Sequence, residues 1–304
     1  MNILVTGSSG WLGQTLVPRL ARDGHKVVGL DPEPAATTSV VGSVVDRALV
    51  RRVICDEGIT AIVHAAARHK PHIETHDNSE FVAVNVQGTL NLLEEAVAPG
   101  SPVDRFVFTS TTSLMISQEI RDGKAGGAKA AVWIDETMAP LKPRNIYGVT
   151  KLAAEELCRL FNHLHRLPVL VLRTSRFFPE EDDMAHAIEQ SGENTKANEF
   201  LFRRLSVEDA AEAHVVALEK AREIGFDTFI VSAMTPFRRE DCRELIADAP
   251  AVVSRLFPEY RALYEKRGWT MFDTVDRIYD AGKAARVLGF TCRTGFREVL
   301  DALR

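Results

Sequence analysis

The sequence predicts an α/β fold, a doubly wound parallel sheet followed by a smaller C-terminal lobe. Three observations predict it. Short apolar runs at 2–6, 26–30, 60–64, 105–109, 168–173 and 227–232 alternate with stretches of helical periodicity at 11–23, 46–57, 78–97, 145–165 and 207–222. The first run passes straight into a glycine-punctuated turn that opens the first helix. Beyond Arg173 the alternation loosens into short helical pieces around Pro236, Pro250 and Pro258. The expected division is residues 1–175 as the sheet domain and 176–304 as a smaller lobe over the sheet's carboxyl edge, with 206–232 returning to the sheet.

The first element ends in Thr6-Gly7-Ser8-Ser9-Gly10-Trp11-Leu12-Gly13. Glycines at 7, 10 and 13 permit a tight turn, close approach of a pyrophosphate, and close packing of the new helix on its strand. The helix N-terminus offers unpaired N–H groups and the positive end of its dipole to phosphates. The spacing is G-x-x-G-x-x-G rather than the commoner G-x-G-x-x-G, so context matters. The second run ends on Asp31, where a strand-terminal carboxylate accepts hydrogen bonds from an adenosine ribose and repels a 2′-phosphate. Strand, glycine turn, helix and acid in this order describe a Rossmann-type site that selects NAD over NADP. The alternative for Asp31 is that it merely opens the turn at Pro32.

The third strand ends on His64, read as a packed, hydrogen-bonded histidine. His69, His72 and His76 have spacings that would suit a metal on one helical face, but Pro71 interrupts that helix. The expectation there is a solvated loop and no metal. Residues 122–127, Asp-Gly-Lys-Ala-Gly-Gly, read as a flexible surface loop. The helix at 145–165 opens with Tyr147-Gly148-Val149-Thr150-Lys151, which places the tyrosine and lysine on one face. A free tyrosine has a pKa of about 10, too high for a base at neutral pH, and a nearby ammonium favours the phenolate.

Composition narrows the partners. The chain has 304 residues and a net charge of −5, with Lys and Arg scattered, so neither nucleic acid nor an anionic membrane is implied. The first strand begins at the second residue, which leaves no room for a secretory segment and predicts a cytoplasmic location. Cys55, Cys158, Cys242 and Cys292 are far apart and read as reduced thiols. The long helices at 78–97 and 145–165 could pair across a two-fold axis, so a homodimer is expected.

These motifs together resemble the extended short-chain dehydrogenase/reductase family, of the NAD-dependent epimerase/dehydratase type. The resemblance covers most of the first 232 residues. It rests on the glycine turn, Asp31, Val63-His64-Ala65-Ala66-Ala67, Asn85-Val86-Gln87-Gly88-Thr89, Phe108-Thr109-Ser110-Thr111-Thr112, Ile134-Asp135-Glu136, Tyr147 to Lys151, Leu172-Arg173 and Val207-Glu208-Asp209. It implies that Tyr147 is the acid/base, that Lys151 holds the nicotinamide ribose and lowers the tyrosine pKa, and that Thr111 steadies the reacting oxygen. Ser110 or Thr112 takes that last role if the register slips by one. It further implies NAD contacts from Gly7, Gly10, Trp11, Leu12, Gly13, Asp31, Ala65, Ala66, Asn85, Tyr147 and Lys151. Asn85 reads equally well as a polar residue on a buried helix face.

Departures from the family pattern narrow the chemistry. Sugar-nucleotide dehydratases follow the threonine with Asp-Glu, whereas Thr112-Ser113 stand here, so dehydration is not expected. Epimerases of the family usually carry an Asn three residues beyond the strand arginine and an Arg ahead of the V-x-D segment; this chain has Arg176 at the first place and Phe202 near the second, with Arg203 and Arg204 beside it. The stretches from Arg173 to Glu180 and from Leu205 to Asp209 resemble in part the uronate dehydrogenase branch; the arginine that holds the uronate carboxylate there has no direct match, and Arg176, Arg203 or Arg204 could substitute, Arg176 being the candidate because it stands where sugar-nucleotide relatives carry a neutral amide. Its alternative is a surface ion pair with Glu180, Glu181 or Asp182. The resulting expectation is an NAD-dependent oxidoreductase acting on a hydroxyl or carbonyl of a sugar or sugar acid. The alternatives are an NAD-retaining epimerase and a non-catalytic NAD sensor.

Overall fold

The computed structural model describes residues 1–177 and 192–304. The strands there are β1 (Asn2–Thr6), β2 (Lys26–Asp31), β3 (Val40–Val41), β4 (Ala61–His64), β5 (Arg105–Thr111), β6 (Val132–Ile134), β7 (Val169–Thr174), β8 (Phe226–Val231) and β9 (Arg277–Tyr279). Seven form one parallel sheet in the order β3-β2-β1-β4-β5-β7-β8, and β6 pairs with β9 in a second, parallel pair. The main sheet is doubly wound. The chain runs outward from β1 to β3 and returns on the other side of β1 with β4, which makes the carboxyl ends of β1 and β4 the crevice where such sheets bind ligands.

The α-helices of the sheet region are α1 (Trp11–Arg22), α2 (Arg47–Asp56), α3 (Asn78–Phe81), α4 (Gly88–Ala96), α5 (Gln118–Asp122) and α6 (Ile146–His165). Those that follow are α7 (Gly192–Glu199), α8 (Val207–Ile224), α9 (Cys242–Ala247), α10 (Ala249–Leu256), α11 (Tyr260–Glu265) and α12 (Phe296–Ala302). Strand alternation sorts the core into two layers. Ile3, Val5, Val107 and Leu170 pack with Leu12, Leu16 and Leu20 of α1 and Ala213 and Ala217 of α8. Leu4, Phe106 and Val169 pack on the other face with α2, α4 and Ala154, Cys158 and Phe161 of α6. A third cluster, built from α7, α9 to α12 and Ile278, lies apart from both layers.

Two local expectations change. The stretch at 78–97 is helical throughout, but Val82–Gln87 is π-helical between α3 and α4. Residues 122–127 are not a free loop. Gly123–Gly126 forms a 3₁₀ turn after α5, and Gly123 (φ 48°) is buried with its missing Cβ 3.0 Å from the Asp276 Cβ. A side chain there would collide with the segment leading into β9. The acidic run at 180–183 lies outside the described residues. No helix among the described residues is long and apolar enough to cross a membrane.

Candidate active site

The carboxyl ends of β1, β2, β4, β5 and β7 open into one cleft of about 700 Å³. Its floor at one end is the turn between β1 and α1. Gly7 has φ 74°, and a Cβ there would stand 2.7 Å from the Ala66 nitrogen. A Cβ on Gly13 would stand 2.3 Å from the Gly7 oxygen, so α1 approaches its own turn more closely than any side chain allows. Gly10 differs, because a Cβ on it meets Gly7 O alone, at 3.4 Å. Gly10 is also the N-cap of α1 and provides no side-chain cap, so the first N–H groups of the helix are left for solvent or a ligand.

Asp31 ends β2 at the same cleft and is 7% exposed. Its carboxylate accepts from the Ser9 N–H at 3.2 Å and the Glu33 N–H at 2.9 Å, which fixes it beside the turn. Ala65 and Ala66 follow β4 and are tied back to β1, the first through its N–H to Thr6 O and the second to Thr6 Oγ1, both at 3.2 Å. Trp11 lies at the rim, half exposed, and Leu12 is buried. A floor without Cβ atoms, an uncapped helix N-terminus and a fixed carboxylate fit the pyrophosphate and ribose of a dinucleotide.

Asn85 does not line the cleft. Its side chain is fully buried, accepts from the Arg68 N–H at 2.8 Å, and donates to Arg68 O at 2.9 Å and Thr150 Oγ1 at 3.0 Å. The amide holds the loop after β4, at Arg68, against α6. His64 is likewise structural. Thr89 Oγ1 donates to Asn85 O, so it accepts from His64 Nε2, and Thr6 Oγ1 donates to Nδ1 at 2.7 Å. Burial holds this imidazole neutral by pushing its pKa well below the usual value. His69, His72 and His76 pack ring against ring at 4.3 and 5.0 Å, and His72 Nδ1 accepts from the His69 N–H. Among the described residues no three His, Cys, Asp or Glu side chains stand together as metal ligands would.

The three hydroxyls at the end of β5 have different partners. Ser110 Oγ donates to Glu155 Oε1 at 2.6 Å, and Thr112 Oγ1 reaches Thr174 O at 3.4 Å. Thr111 Oγ1 accepts from the Ser113 N–H at 3.1 Å and faces the Tyr147 phenol, whose pKa it lowers. Tyr147 lies in the first turn of α6, whose start is set by Asn145 capping the Gly148 N–H at 2.9 Å. Lys151 follows one turn later, buried, with Nζ 4.0 Å over the Phe108 ring. Thr111, Tyr147 and Lys151 all line the cleft.

The charges of this pair depart from the sequence expectation. Burial pushes the Tyr147 phenol up to about 12, against the opposing effect of the nearby Thr111 side chain, and Lys151 does not contribute. Burial also lowers Lys151 to about 7, with Cys158 and Glu155 opposing. Desolvation outweighs the mutual stabilisation that helical spacing alone suggests.

Arginines gather in the same cleft. Arg176, bridged to Arg204 just beyond β7, lines it together with Arg121, Arg144, Arg203 and Arg277. Glu199, fully buried, meets Arg203 at 2.6 Å, Arg204 at 2.7 Å and Arg176 at 3.8 Å. Burial opposes its ionisation, yet the three guanidinium groups hold its carboxyl below the ordinary value. Burial, and then Arg277, Arg203 and Arg144, hold the Arg121 guanidinium below its own. The sequence reading did not find Arg121, Arg144 or Arg277. Arg144 stands three residues before Tyr147, which is the one local signal among them.

The family model of the NAD-dependent epimerases and dehydratases matches residues 3–231, three quarters of the chain. The chain belongs to the NAD-dependent epimerase/dehydratase family. It is therefore an enzyme of the extended short-chain dehydrogenase/reductase type, with NAD as cofactor. A low-salt glycan biosynthesis protein of Haloferax volcanii is 33% identical over 193 residues, 59% of this chain and 57% of that protein. A UDP-glucose 4-epimerase of Erwinia amylovora is 30% identical over 174 residues, 52% of this chain and 48% of the relative. The chain thus spans about half the length of these curated relatives. A short-chain dehydrogenase/reductase superfamily protein from Agrobacterium tumefaciens, solved with bound NAD, superimposes with TM-score 0.69 at 25% identity, covering 100% of this chain and 96% of the other. A Thermotoga maritima UDP-glucose 4-epimerase has the same fold, with TM-score 0.69 at 21% identity over 99% of this chain and 96% of its own.

Proposed function

We propose that this member of the family moves hydride to or from a secondary alcohol or hemiacetal carbon of an anionic, sugar-like substrate, with Thr111, Tyr147 and Lys151 as its reacting group. The observation that carries the reading is that Thr111 at the end of β5 and Tyr147 in the first turn of α6 converge on one cleft, with Lys151 one turn along the same helix face. Gly7, Gly10, Trp11, Leu12, Gly13, Asp31, Ala65 and Ala66 would hold the dinucleotide. Bound NAD supplies the hydride acceptor or donor at its nicotinamide ring. As the neutral phenol that burial favours, Tyr147 gives its proton to the substrate oxygen when hydride reaches the carbon, and as the resulting phenolate it takes that proton back in the oxidising direction; Thr111 holds the same oxygen, and Lys151 holds the nicotinamide ribose.

The anionic character of the substrate is read from the arginines. Arg121, Arg144, Arg176, Arg203 and Arg277 line the cleft, and among the described residues Glu199 pairs with Arg176 and Arg203 and Asp276 with Arg277. The planar fork of a guanidinium suits a carboxylate or a phosphoryl group. Arg176 as the carboxylate ligand of a sugar acid, as in a uronate dehydrogenase, is one form of this reading. A nucleotide sugar is the other, and the Erwinia relative's name favours it.

The test is NADH formation from a panel of uronic acids, neutral sugars, sugar phosphates and nucleotide sugars, with parent and Tyr147→Phe side by side. An anionic member should be the best substrate, and Tyr147→Phe should lose about 10²–10⁴ in rate while binding NAD. A neutral sugar as best substrate ends the anionic part, and a variant within a few-fold of parent ends the role of Tyr147. If no NADH forms but the purified protein retains NAD and interconverts sugar epimers, the family's epimerase chemistry replaces the dehydrogenase reading.

A further inference from the structure

Glu155 lies on α6 four residues beyond Lys151 and eight beyond Tyr147, so the three share one helix face. Its carboxylate is almost completely buried and fully engaged. Oε1 accepts from Ser110 Oγ at 2.6 Å and from Arg173 Nε at 3.0 Å, and Oε2 accepts from Arg173 Nη2 at 2.7 Å. Ser110 and Arg173 are register partners on β5 and β7. One carboxylate therefore ties the helix carrying Tyr147 and Lys151 to the strand end carrying Thr111. Stability alone does not explain this, because a buried ion pair is often matched or bettered by apolar side chains of similar volume.

We propose that Glu155 is the positioning residue of the site: its carboxylate is the counter-charge of Lys151 and, through Ser110, the anchor of the strand end that presents Thr111. The proposal rests on the reading of Lys151 given above. Among the described residues, the groups around Lys151 leave this role to Glu155. From β5 comes the Phe108 ring, and from β4 comes His64, held neutral. On α6 itself, Cys158 could add negative charge only as a thiolate, and burial pushes that thiol far up. Tyr147 is held as the neutral phenol. Arg173 on β7 is cationic and takes part of the Glu155 charge, which makes the carboxylate's presence more necessary to Lys151. Neutralising Glu155 lets Lys151 lose its proton at lower pH, and a ribose-binding ammonium is lost with it.

The experiment is NADH affinity by fluorescence titration from pH 5 to 9 for the parent, Glu155→Gln, Lys151→Met and the double variant. In the parent, affinity should fall in a step as Lys151 deprotonates. Glu155→Gln should move that step down by about one pH unit. In the Lys151→Met background the step should be absent, and Glu155→Gln should add no pH dependence. A uniform loss of affinity at every pH in Glu155→Gln, or the same pH shift without Lys151, overturns the proposal. Unchanged affinity in Lys151→Met instead removes the reading of Lys151, and the role of Glu155 with it. If Glu155→Gln fails to fold because Arg173 is left unpaired, Glu155→Gln with Arg173→Met removes both charges. A smaller downward shift is expected there, because the Arg173 cation leaves with the carboxylate, and a step that stays put or moves up refutes the idea.

Discussion

Asp31 is held by two backbone N–H groups in the cleft, which fixes a negative charge beside the glycine turn, and the proposed cofactor site sets the adenosine ribose against it. The parent should therefore bind NAD at least about tenfold more tightly than NADP, a difference of about 1.4 kcal/mol. Asp31→Asn keeps the shape and removes the charge, so the gap should narrow, mainly through better NADP binding. Calorimetric titration with both dinucleotides decides it, and equal affinities in the parent would remove Asp31 from the cofactor site. Asp31 was readable because its position depends on local order, strand then turn. The different settings of Ser110 and Thr112 were not, because their partners, Glu155 and Thr174, stand dozens of residues away. The buried work of Asn85 was hidden for the same reason, since two of its three hydrogen bonds are to the backbone of Arg68.

At the scale of elements, the glycine turn separates two uses of a missing Cβ. A methyl group on Gly13 would lie 2.3 Å from Gly7 O and 2.5 Å from the Ser8 backbone, atoms that cannot yield without moving the turn. A methyl group on Gly10 meets a single atom at 3.4 Å and otherwise points into the cleft. Gly13→Ala should thus lower the melting temperature and weaken NAD together, by an overpacking cost of about 1–3 kcal/mol. Gly10→Ala should fold with a near-parent melting temperature and lose NAD affinity alone. Equal destabilisation of the two variants in thermal unfolding would show that the turn is not built this way. Periodicity found the long strands and helices because each buries a repeating face. It missed β3, β6 and β9, which have two or three residues and no period to read, and the π-helical stretch, which keeps the helical pattern while shifting its register.

The molecule as a whole assembles its cationic cleft from α5, the approach to α6, the segment after α7, and β9, and no sequence window contains these together. Its outer surface carries a second long-range feature. The inward face of α6 bears Tyr147, Lys151 and Glu155, while Val149, Leu160 and Leu164 are 48%, 46% and 60% exposed. At 100° per residue these three fall within an arc of about 60°, so they form a stripe rather than scattered apolar residues. Val82, 47% exposed, lies on the π-helical stretch packed beside α6. Burying such a stripe against its symmetry copy gives an isologous, closed interface, whereas leaving it in water exposes large aliphatic side chains without return. The protein should therefore sediment at twice its 33.7 kDa chain mass. Leu160→Glu with Leu164→Glu should shift it to monomer while the far-ultraviolet circular dichroism stays that of the parent. A parent that sediments as a monomer at tens of micromolar would show that this stripe has another occupant, and a double variant that remains dimeric would place the two-fold axis elsewhere on the surface.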